Sequence, residues 1–344
     1  MSRWIDELEG LAAQRLPEPV QRYIRQGAGA GVSAAEATEA WRQTRLLPHV
    51  LRDVSAVATG TTLLGTPVRA PIAIAPTTLL RHAHADGELE MARGSSAADT
   101  VLCVSSNGGT PFTDIASTGA AWWVQAYVLR DRGRTREMCQ RAVAASARAV
   151  VLTVDTPMVG TKLDGADSIW QITPDHFLHA NEDLRSVSHL GVEKAADLTG
   201  DDVAWIAELT GLPVVVKGVL RPDDAAAVID AGAAAVWVSN HGGRQLDGAV
   251  ATRRALPAVV ESVAGRGEVY VDGGIRRGVD VLAALALGAT AAFVGRPTMW
   301  ALTVEGASGV GRLLDDLHNE LVEAMMLCGA ADLPSLTPDL VEPG

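Results

Sequence analysis

The sequence predicts an α/β fold, a (β/α)8 TIM barrel, on three observations. Eight short apolar runs recur between residues 71 and 297. Stretches with helical apolar spacing lie between them. Polar or glycine-rich residues stand at the C-terminal ends of the runs. Strands that are almost continuously apolar suit a parallel sheet covered on both faces. Eight strand–helix units in one chain fit a closed barrel. A doubly wound open sheet is the alternative, and it is disfavoured because no G-x-G-x-x-G follows the first strand.

The runs, in order, are PIAIAP (71–76), TVLCVSS (100–106), WWVQAYV (122–128), AVVLTVD (149–155), PVVVKGV (213–219), AVWVSN (235–240), EVYVDGG (268–274) and AAFVGRP (291–297). The helical stretches include DGELEMARGSSAA, RTREMCQRAVAASA, TGDDVAWIAELTG, RPDDAAAVIDAG and GVDVLAALALG, with a long helical region over 300–329. Several end in glycine stop signals. Residues 1–60 read as an N-terminal helical extension that ends in an extended lead-in. Residues 156–198 form a long insert after the fourth strand. A connection that long in a compact domain is expected to be functional, an active-site loop or lid. In a barrel it lies at the C-terminal face, where active sites sit. Composition does not break along the 344 residues, and a single domain over 1–344 is expected.

Composition narrows the function. Hydrophobic residues make up 48%, enough for a substantial core, and the net charge of −12 argues against nucleic acid. No apolar run is long enough to span a bilayer, and the acidic N-terminus lacks a signal-peptide core. Cys103, Cys139 and Cys328 are far apart without metal-ligand spacing, so reduced core thiols and a cytoplasmic location are expected. Histidines and carboxylates form no convincing metal pattern, and no metal is expected. His82 and His84 read as loop or cap residues; His176, His179 and His189 read as surface or lid residues of the insert. Met325, Met326, Trp122 and Trp123 read as core, whereas Trp170, in the insert, could line a substrate pocket.

The polar strand ends carry the chemistry. They hold Ala75-Pro76-Thr77-Thr78, Ser105-Ser106-Asn107, Gln125 and Tyr127, Thr153 and Asp155, Lys217, Ser239-Asn240-His241, Asp272-Gly273-Gly274, and Gly295-Arg296. A barrel would gather them at one mouth. DGGIRRG and VGRP are glycine turns at helix starts with Arg276 and Arg296 close by, in the positions where barrels commonly bind phosphate. Lys217 lies inside an apolar strand. Such a lysine is costly unless paired or functional, as a Schiff base or as a fixed cation beside a ligand that becomes anionic. His241 is a candidate general base. Arg244, three positions on, can clamp a carboxylate through two hydrogen bonds. Asp155 could orient the histidine. Gly242 and Gly243 allow a tight turn against a ligand.

In this order the motifs LPEPVQRYIRQGA, IAPT, VQAYV, LTVDTP, VVVKGV, SNHGGRQLDG, DGGIRRGVDVLAALALGA and VGRP resemble the FMN-dependent 2-hydroxy acid oxidase and dehydrogenase family over nearly the whole chain. The resemblance implies FMN at the C-terminal face of the barrel. It implies flavin-ring contacts from Ala75, Pro76, Thr77, Ser105, Gln125, Thr153 and Lys217, with Ser239 beside them. The phosphate would rest on Asp272, Gly274, Arg276, Gly295 and Arg296. His241 would be the base, Asp155 its partner, and Arg244, Tyr23 and Tyr127 the substrate-binding groups. The reaction implied takes a 2-hydroxy acid to a 2-oxo acid, by hydride or carbanion transfer. Lys217 would stabilise the reduced flavin, and oxygen, giving hydrogen peroxide, or another acceptor would receive the electrons. The family also implies a homo-oligomer, by analogy a tetramer.

Three positions depart from the family pattern. Lys162 stands where a second carboxylate-binding arginine is usual, which keeps the charge but loses the fork. Thr78 replaces a small residue near the flavin. The segment Asn107-Gly108-Gly109 is short and small-sided, which would leave room for an aromatic substrate. The small residues at 107–109, an expected soluble chain and the Ala/Arg-rich composition lean toward a mandelate-type acid, with the resemblance inside the family running to 4-hydroxymandelate oxidases. The competing readings are a flavin-using isomerase, a Schiff-base aldolase built on Lys217, and a non-catalytic FMN-binding protein.

Overall fold

The computed structural model describes residues 3–163, 168–181 and 193–342. An antiparallel pair, β1 (Thr61–Leu63) and β2 (Thr66–Val68), precedes eight barrel strands: β3 (Ile72–Ile74), β4 (Val101–Ser105), β5 (Ala121–Ala126), β6 (Val150–Thr153), β7 (Val214–Val219), β8 (Ala235–Val238), β9 (Glu268–Val271) and β10 (Ala291–Val294). β3 to β10 close into one parallel barrel in sequence order, with β10 pairing back onto β3. All eight predicted runs are strands, each one to three residues shorter in total than its apolar run, with β5 starting one residue before its run.

Three helices form the N-terminal extension: α1 (Arg3–Ala13), α2 (Glu18–Arg25) and α3 (Val32–Arg42). The outer layer follows the strands. It comprises α4 (Leu80–Ala83), α5 (Gly87–Ala97), α6 (Phe112–Ser117), α7 (Arg132–Ala144), α8 (Ser168–Ile172, in the insert), α9 (Gly200–Thr210), α10 (Pro222–Asp230), α11 (Thr252–Val263), α12 (Gly278–Ala286) and α13 (Arg296–Cys328). α13 is broken at Glu305 and Gly306, where φ reaches −140° and 60°. It is therefore two helices in series, the barrel's last helix and a C-terminal one.

The barrel separates the sequence into two parities. One set of alternate residues packs outward against the helices. The other, including Ala73, Val101, Cys103, Trp123, Val151, Val215, Ala235, Trp237, Tyr270, Ala291 and Phe293, fills the interior. Trp123, Trp237, Tyr270 and Phe293 pack on one another with ring centroids 3.9–6.1 Å apart. The interior is a packed core with no channel through it. The three cysteines are free and buried.

The hairpin at 61–68 is a feature the sequence reading did not contain. Its two-residue turn places Leu64 and Gly65 at φ 44° and 76°, the pattern of a type I′ hairpin. Leu63 and Val68 are buried with the interior cluster, and Leu64 N–H donates to Glu268 at the start of β9 (3.0 Å). The hairpin therefore plugs the N-terminal end of the barrel, and the site is left to the other end. We expect Leu63→Ala to cost about 2–5 kcal/mol in urea unfolding, as for a fully buried leucine. Leu51→Ala, at a fully exposed leucine, should stay within about 0.5 kcal/mol.

Candidate active site

Counting two residues at a time along each strand leads from the apolar interior to a polar layer. Trp123 is followed by Gln125, Val151 by Thr153, Val215 by Lys217, Trp237 by Ser239, and Tyr270 by Asp272. These polar groups are buried, at 7% exposure or less, so each needs a partner. Gln125 donates to Thr153 (3.0 Å), and its carbonyl oxygen accepts from Ser105 (3.4 Å). Lys217 donates to Ser239 (2.8 Å) and lies 3.2 Å from Asp272, and Ser239 donates to Asp272 (2.6 Å). Burial works against the Lys217 ammonium, but Asp272 and Asp155 outweigh it and hold its pKa above the ordinary lysine value. Lys217 is thus a fixed cation. This removes the main requirement of a Schiff-base lysine, which must be neutral to attack.

Asp272 lines the same cleft as Arg276 and Arg296. Its carboxylate lies on Lys217 and Ser239, where it compensates a buried cation, and its N–H donates to the Val238 carbonyl (3.1 Å).

His241 stands just past β8 at φ 58°, a left-handed backbone uncommon for a side chain with a Cβ. The turn is held locally: His241 N–H donates to Ser239 Oγ (3.1 Å), and Gly243 N–H donates to Asn240 Oδ1 (3.1 Å). His241 Nδ1 lies 2.9 Å from Asp155 Oδ1, which also accepts from Thr156 (2.9 Å). Asp155 can approach because residue 218 is glycine. A Cβ there would fall 2.6 Å from the Asp155 side chain, at φ 109°. Burial raises the Asp155 pKa, but His241 and then Lys217 overcome it and bring it to about 2. Burial is also the largest influence on His241 and lowers its pKa despite Asp155. A neutral imidazole with Nδ1–H on a carboxylate leaves Nε2 free to accept a proton.

Arg244 lies over Tyr23, its guanidinium carbon 4.6 Å from the ring centroid, and donates to the carbonyls of Tyr23 (2.7 Å) and Gln26 (3.1 Å). The N-terminal extension thus forms one wall of the site. Ala28 N–H donates to the Gly243 carbonyl (2.8 Å), and Asp247 accepts from the N–H groups of Ala30 (2.8 Å) and Ser33 (3.0 Å). Tyr127 projects from the end of β5 beside Thr156, and burial followed by Asp155 raises its pKa. Trp170 of α8 meets Tyr23 edge to face, 5.9 Å between centroids. Lys162 stands beside the Arg244 turn. Its ammonium donates to the carbonyls of Gly160 (2.7 Å) and Arg244, so it supports the turn that carries Arg244.

Arg276 and Arg296 are the groups most in need of an absent partner. Both are bound to backbone carbonyls: Arg276 to Ile275, and Arg296 to Ile24 (2.9 Å), Gln26 (3.3 Å) and Gly242 (3.0 Å). Carboxylates act on them only through the Coulomb field, Glu9 and Asp280 on Arg276 and Glu9 and Asp272 on Arg296. Burial lowers Arg276 to about 10, and burial with the neighbouring Arg244 and Arg276 lowers Arg296 to about 9. Buried like charges of this kind fit a bound anion. Gly274 lies beside them at φ 86°, and a Cβ there would reach within 2.0 Å of the Ala37 carbonyl. Ala75, Pro76, Thr77, Thr78, Gly295 and these arginines line one cleft that runs to His241 and Arg244. An anion at the arginines and a flat ring over the polar strand ends fit this donor set.

Other expectations changed. The space beside Gly108 and Gly109 is occupied: Cβ atoms there would meet Glu88 at 3.3 Å and Arg81 at 2.7 Å. Those glycines therefore let Glu88 and the insert pack closely and do not open a pocket. His82 bonds Thr173 (2.9 Å), and His176 packs on Phe177. His189 lies outside the described residues. Thr156 and Gln245, which bond each other behind Asp155, were not singled out from sequence. Their position in the LTVDTP and SNHGGRQLDG motifs was the available signal.

A family model described as FMN-dependent dehydrogenase matches residues 12–343. The chain is 38% identical to L-lactate oxidase of Nostoc sp., over 96% of this chain and 95% of that one. It is 36% identical to 2-hydroxyacid oxidase 1 of Homo sapiens, over 98% and 95%. Solved structures of mandelate oxidase superpose on it, one holding (S)-2-phenylpropionate with TM-score 0.90, 37% identity and coverage of 98% and 97%. A variant of that enzyme with a C4a-OH-FMN adduct gives TM-score 0.91 and 37% identity, over 98% and 99%. We expect Gly274→Ala to lower stability in urea unfolding, because the added Cβ meets the Ala37 backbone of α3 at a left-handed φ. Arg296→Met should weaken FMN at least about tenfold in a fluorescence titration, the cost of one charge-assisted contact.

Proposed function

The chain belongs to the FMN-dependent dehydrogenase family, and from that premise we propose that it oxidises an (S)-2-hydroxy acid of mandelate type to the 2-oxo acid, with oxygen reduced to hydrogen peroxide. The observation that carries the reading is the convergence of His241–Asp155 and Arg244–Tyr23 on the mouth above Lys217. FMN, when bound, supplies the acceptor for the two electrons that leave the α-carbon.

The protein's own groups divide the remaining work. Arg244 and Tyr23 bind the substrate carboxylate, and Tyr127 the α-hydroxyl. His241 Nε2 takes a substrate proton, and Asp155 stabilises the imidazolium that results. Lys217 would supply a permanent positive charge to the bound cofactor. Arg276, Arg296 and the Gly274 turn would hold its phosphate, and Ser105, Gln125 and Thr153 would offer donors and acceptors to its ring. Lys162 acts by fixing the Arg244 turn. An aromatic side chain is favoured by the Tyr23–Trp170 pair at the rim and by the mandelate oxidase likeness. Assembly as a cytoplasmic tetramer completes the proposal, and sedimentation analysis checks the assembly.

His241→Ala is expected to retain FMN while anaerobic flavin bleaching slows by about 10²–10⁴-fold. Unchanged bleaching would remove His241 as the base. The neutral imidazole is the active form and its pKa is lowered. The rate should therefore hold through neutral pH and fall only as pH drops below the ordinary histidine value near 6.5. In a panel of mandelate, 4-hydroxymandelate, lactate and glycolate, the aromatic acids should give the highest kcat/KM, with peroxide formed on admitting oxygen. A clear preference for a short aliphatic acid would overturn the substrate assignment.

A further inference from the structure

Lys194 is one of three lysines in the chain and has no part in the reaction as described above. The end of the insert that carries it is spliced to the segment following Tyr127. Ala195 N–H donates to the Val128 carbonyl (2.8 Å), Arg130 N–H donates to the Glu193 carbonyl (2.8 Å), and Lys194 pairs with Leu129. From this anchor the Lys194 side chain turns onto Tyr127, with Nζ 3.7 Å from the ring centroid. A cation so close to a ring face is attracted by the ring's quadrupole, more strongly where water is excluded. Lys194 also borders a cavity with Ser106, Asn107, Leu129 and His179, next to the polar strand ends.

The charged groups around Lys194 leave it without a paired carboxylate among the described residues. From β5 and α7 come Arg130, Arg132 and Arg134, which pair with Glu193 (2.8 Å), Asp197 (3.1 Å) and Asp131 (3.8 Å). His179 faces it from the insert. Asp155, after β6, acts on it from a distance and is itself engaged by His241. Among the described residues, the contact of the Lys194 ammonium is the Tyr127 ring.

We propose that Lys194 is a positioning residue for the oxidation: its ammonium holds the Tyr127 ring so that the phenol stays beside Thr156 and the Asp155–His241 pair. The inference rests on the reading that Tyr127 binds the reacting hydroxyl. It makes the C-terminal end of the insert part of the active-site frame, and it couples the site to the protonation of one lysine. Burial lowers that ammonium to about 8, with Asp155 opposing, so the hold is complete below pH 8 and is lost as pH rises through it.

The test uses the FMN holoenzyme with Lys194→Met, Lys194→Arg and Tyr127→Phe. The chain has three tyrosines, so ¹³C-tyrosine labelling gives three ring signals. The Tyr127 signal should shift with a midpoint near pH 8 in the parent. Lys194→Met and Lys194→Arg should both abolish that midpoint. Lys194→Met should lower kcat about tenfold with little change in KM, a loss in a step after binding. Lys194→Arg, which keeps a stacking cation, should recover most of kcat and move the alkaline fall upward. In a Tyr127→Phe background, Lys194→Met should lose less than in the parent, because the phenol it positions is gone. An unmoved Tyr127 signal, an equal loss in Lys194→Arg, or an equal loss in the Tyr127→Phe background would overturn the role and leave the proposed reaction standing. If no 2-hydroxy acid bleaches the parent flavin, the reaction fails and the positioning role with it.

Discussion

Closure of eight parallel strands in sequence order imposes the constraint from which the site follows. Side chains on a strand alternate between faces, so closure gives every strand one inward set. Those sets are apolar over most of the barrel and polar in the last layer. Trp123, Trp237, Tyr270 and Phe293 fill the lower interior, and Gln125, Thr153, Lys217, Ser239 and Asp272 cap it. The aromatic floor cannot accept hydrogen bonds from that layer, so the polar groups bond among themselves and toward the mouth. The hairpin at 61–68 closes the opposite end, so function and stability occupy different ends of one barrel.

Charge is distributed by the same constraint. Inside the barrel Lys217 is balanced by Asp272, and at the rim Asp155 holds His241 through a hydrogen bond (2.9 Å). Outside these pairs, Arg276 and Arg296 are half-buried on backbone carbonyls with no carboxylate in ion-pair contact among the described residues; desolvation depresses both, and Arg244 and Arg276 add to it at Arg296. A protein that tolerates such an excess while carrying a net charge of −12 keeps its positive charge for a ligand. The proposed reading would place the FMN phosphate at these arginines and its ring near Lys217, with His241 and Arg244 lining the same cleft.

Much of this was legible from local pattern. The eight apolar runs gave the strands, because burial on both faces suppresses alternation and leaves nearly continuous apolar segments. Lys217, His241, Arg244 and the glycine–arginine turns were conspicuous because ionisable groups at strand ends have few structural uses. Other features were not legible. The 61–68 hairpin is three residues per strand, too short for periodicity to register. The pairing of the Asp272 carboxylate with Lys217 and Ser239 depends on strand parity. The glycines at 108 and 109 suggested open space, yet Arg81 and Glu88 occupy it.

The sequence by itself determined the barrel, the FMN chemistry its motifs resemble, and the residues gathered at the mouth. Each of these depends on residue type and spacing along the chain. The tertiary structure decided which of those residues meet: Asp155 with His241 through the gap left by Gly218, Lys162 with the Arg244 carbonyl, and Lys194 with Tyr127. Those contacts join residues dozens of positions apart, and their geometry depends on barrel closure and on how the insert folds back. Neither has a local signature, because the energy of each contact depends on a partner that the chain supplies elsewhere.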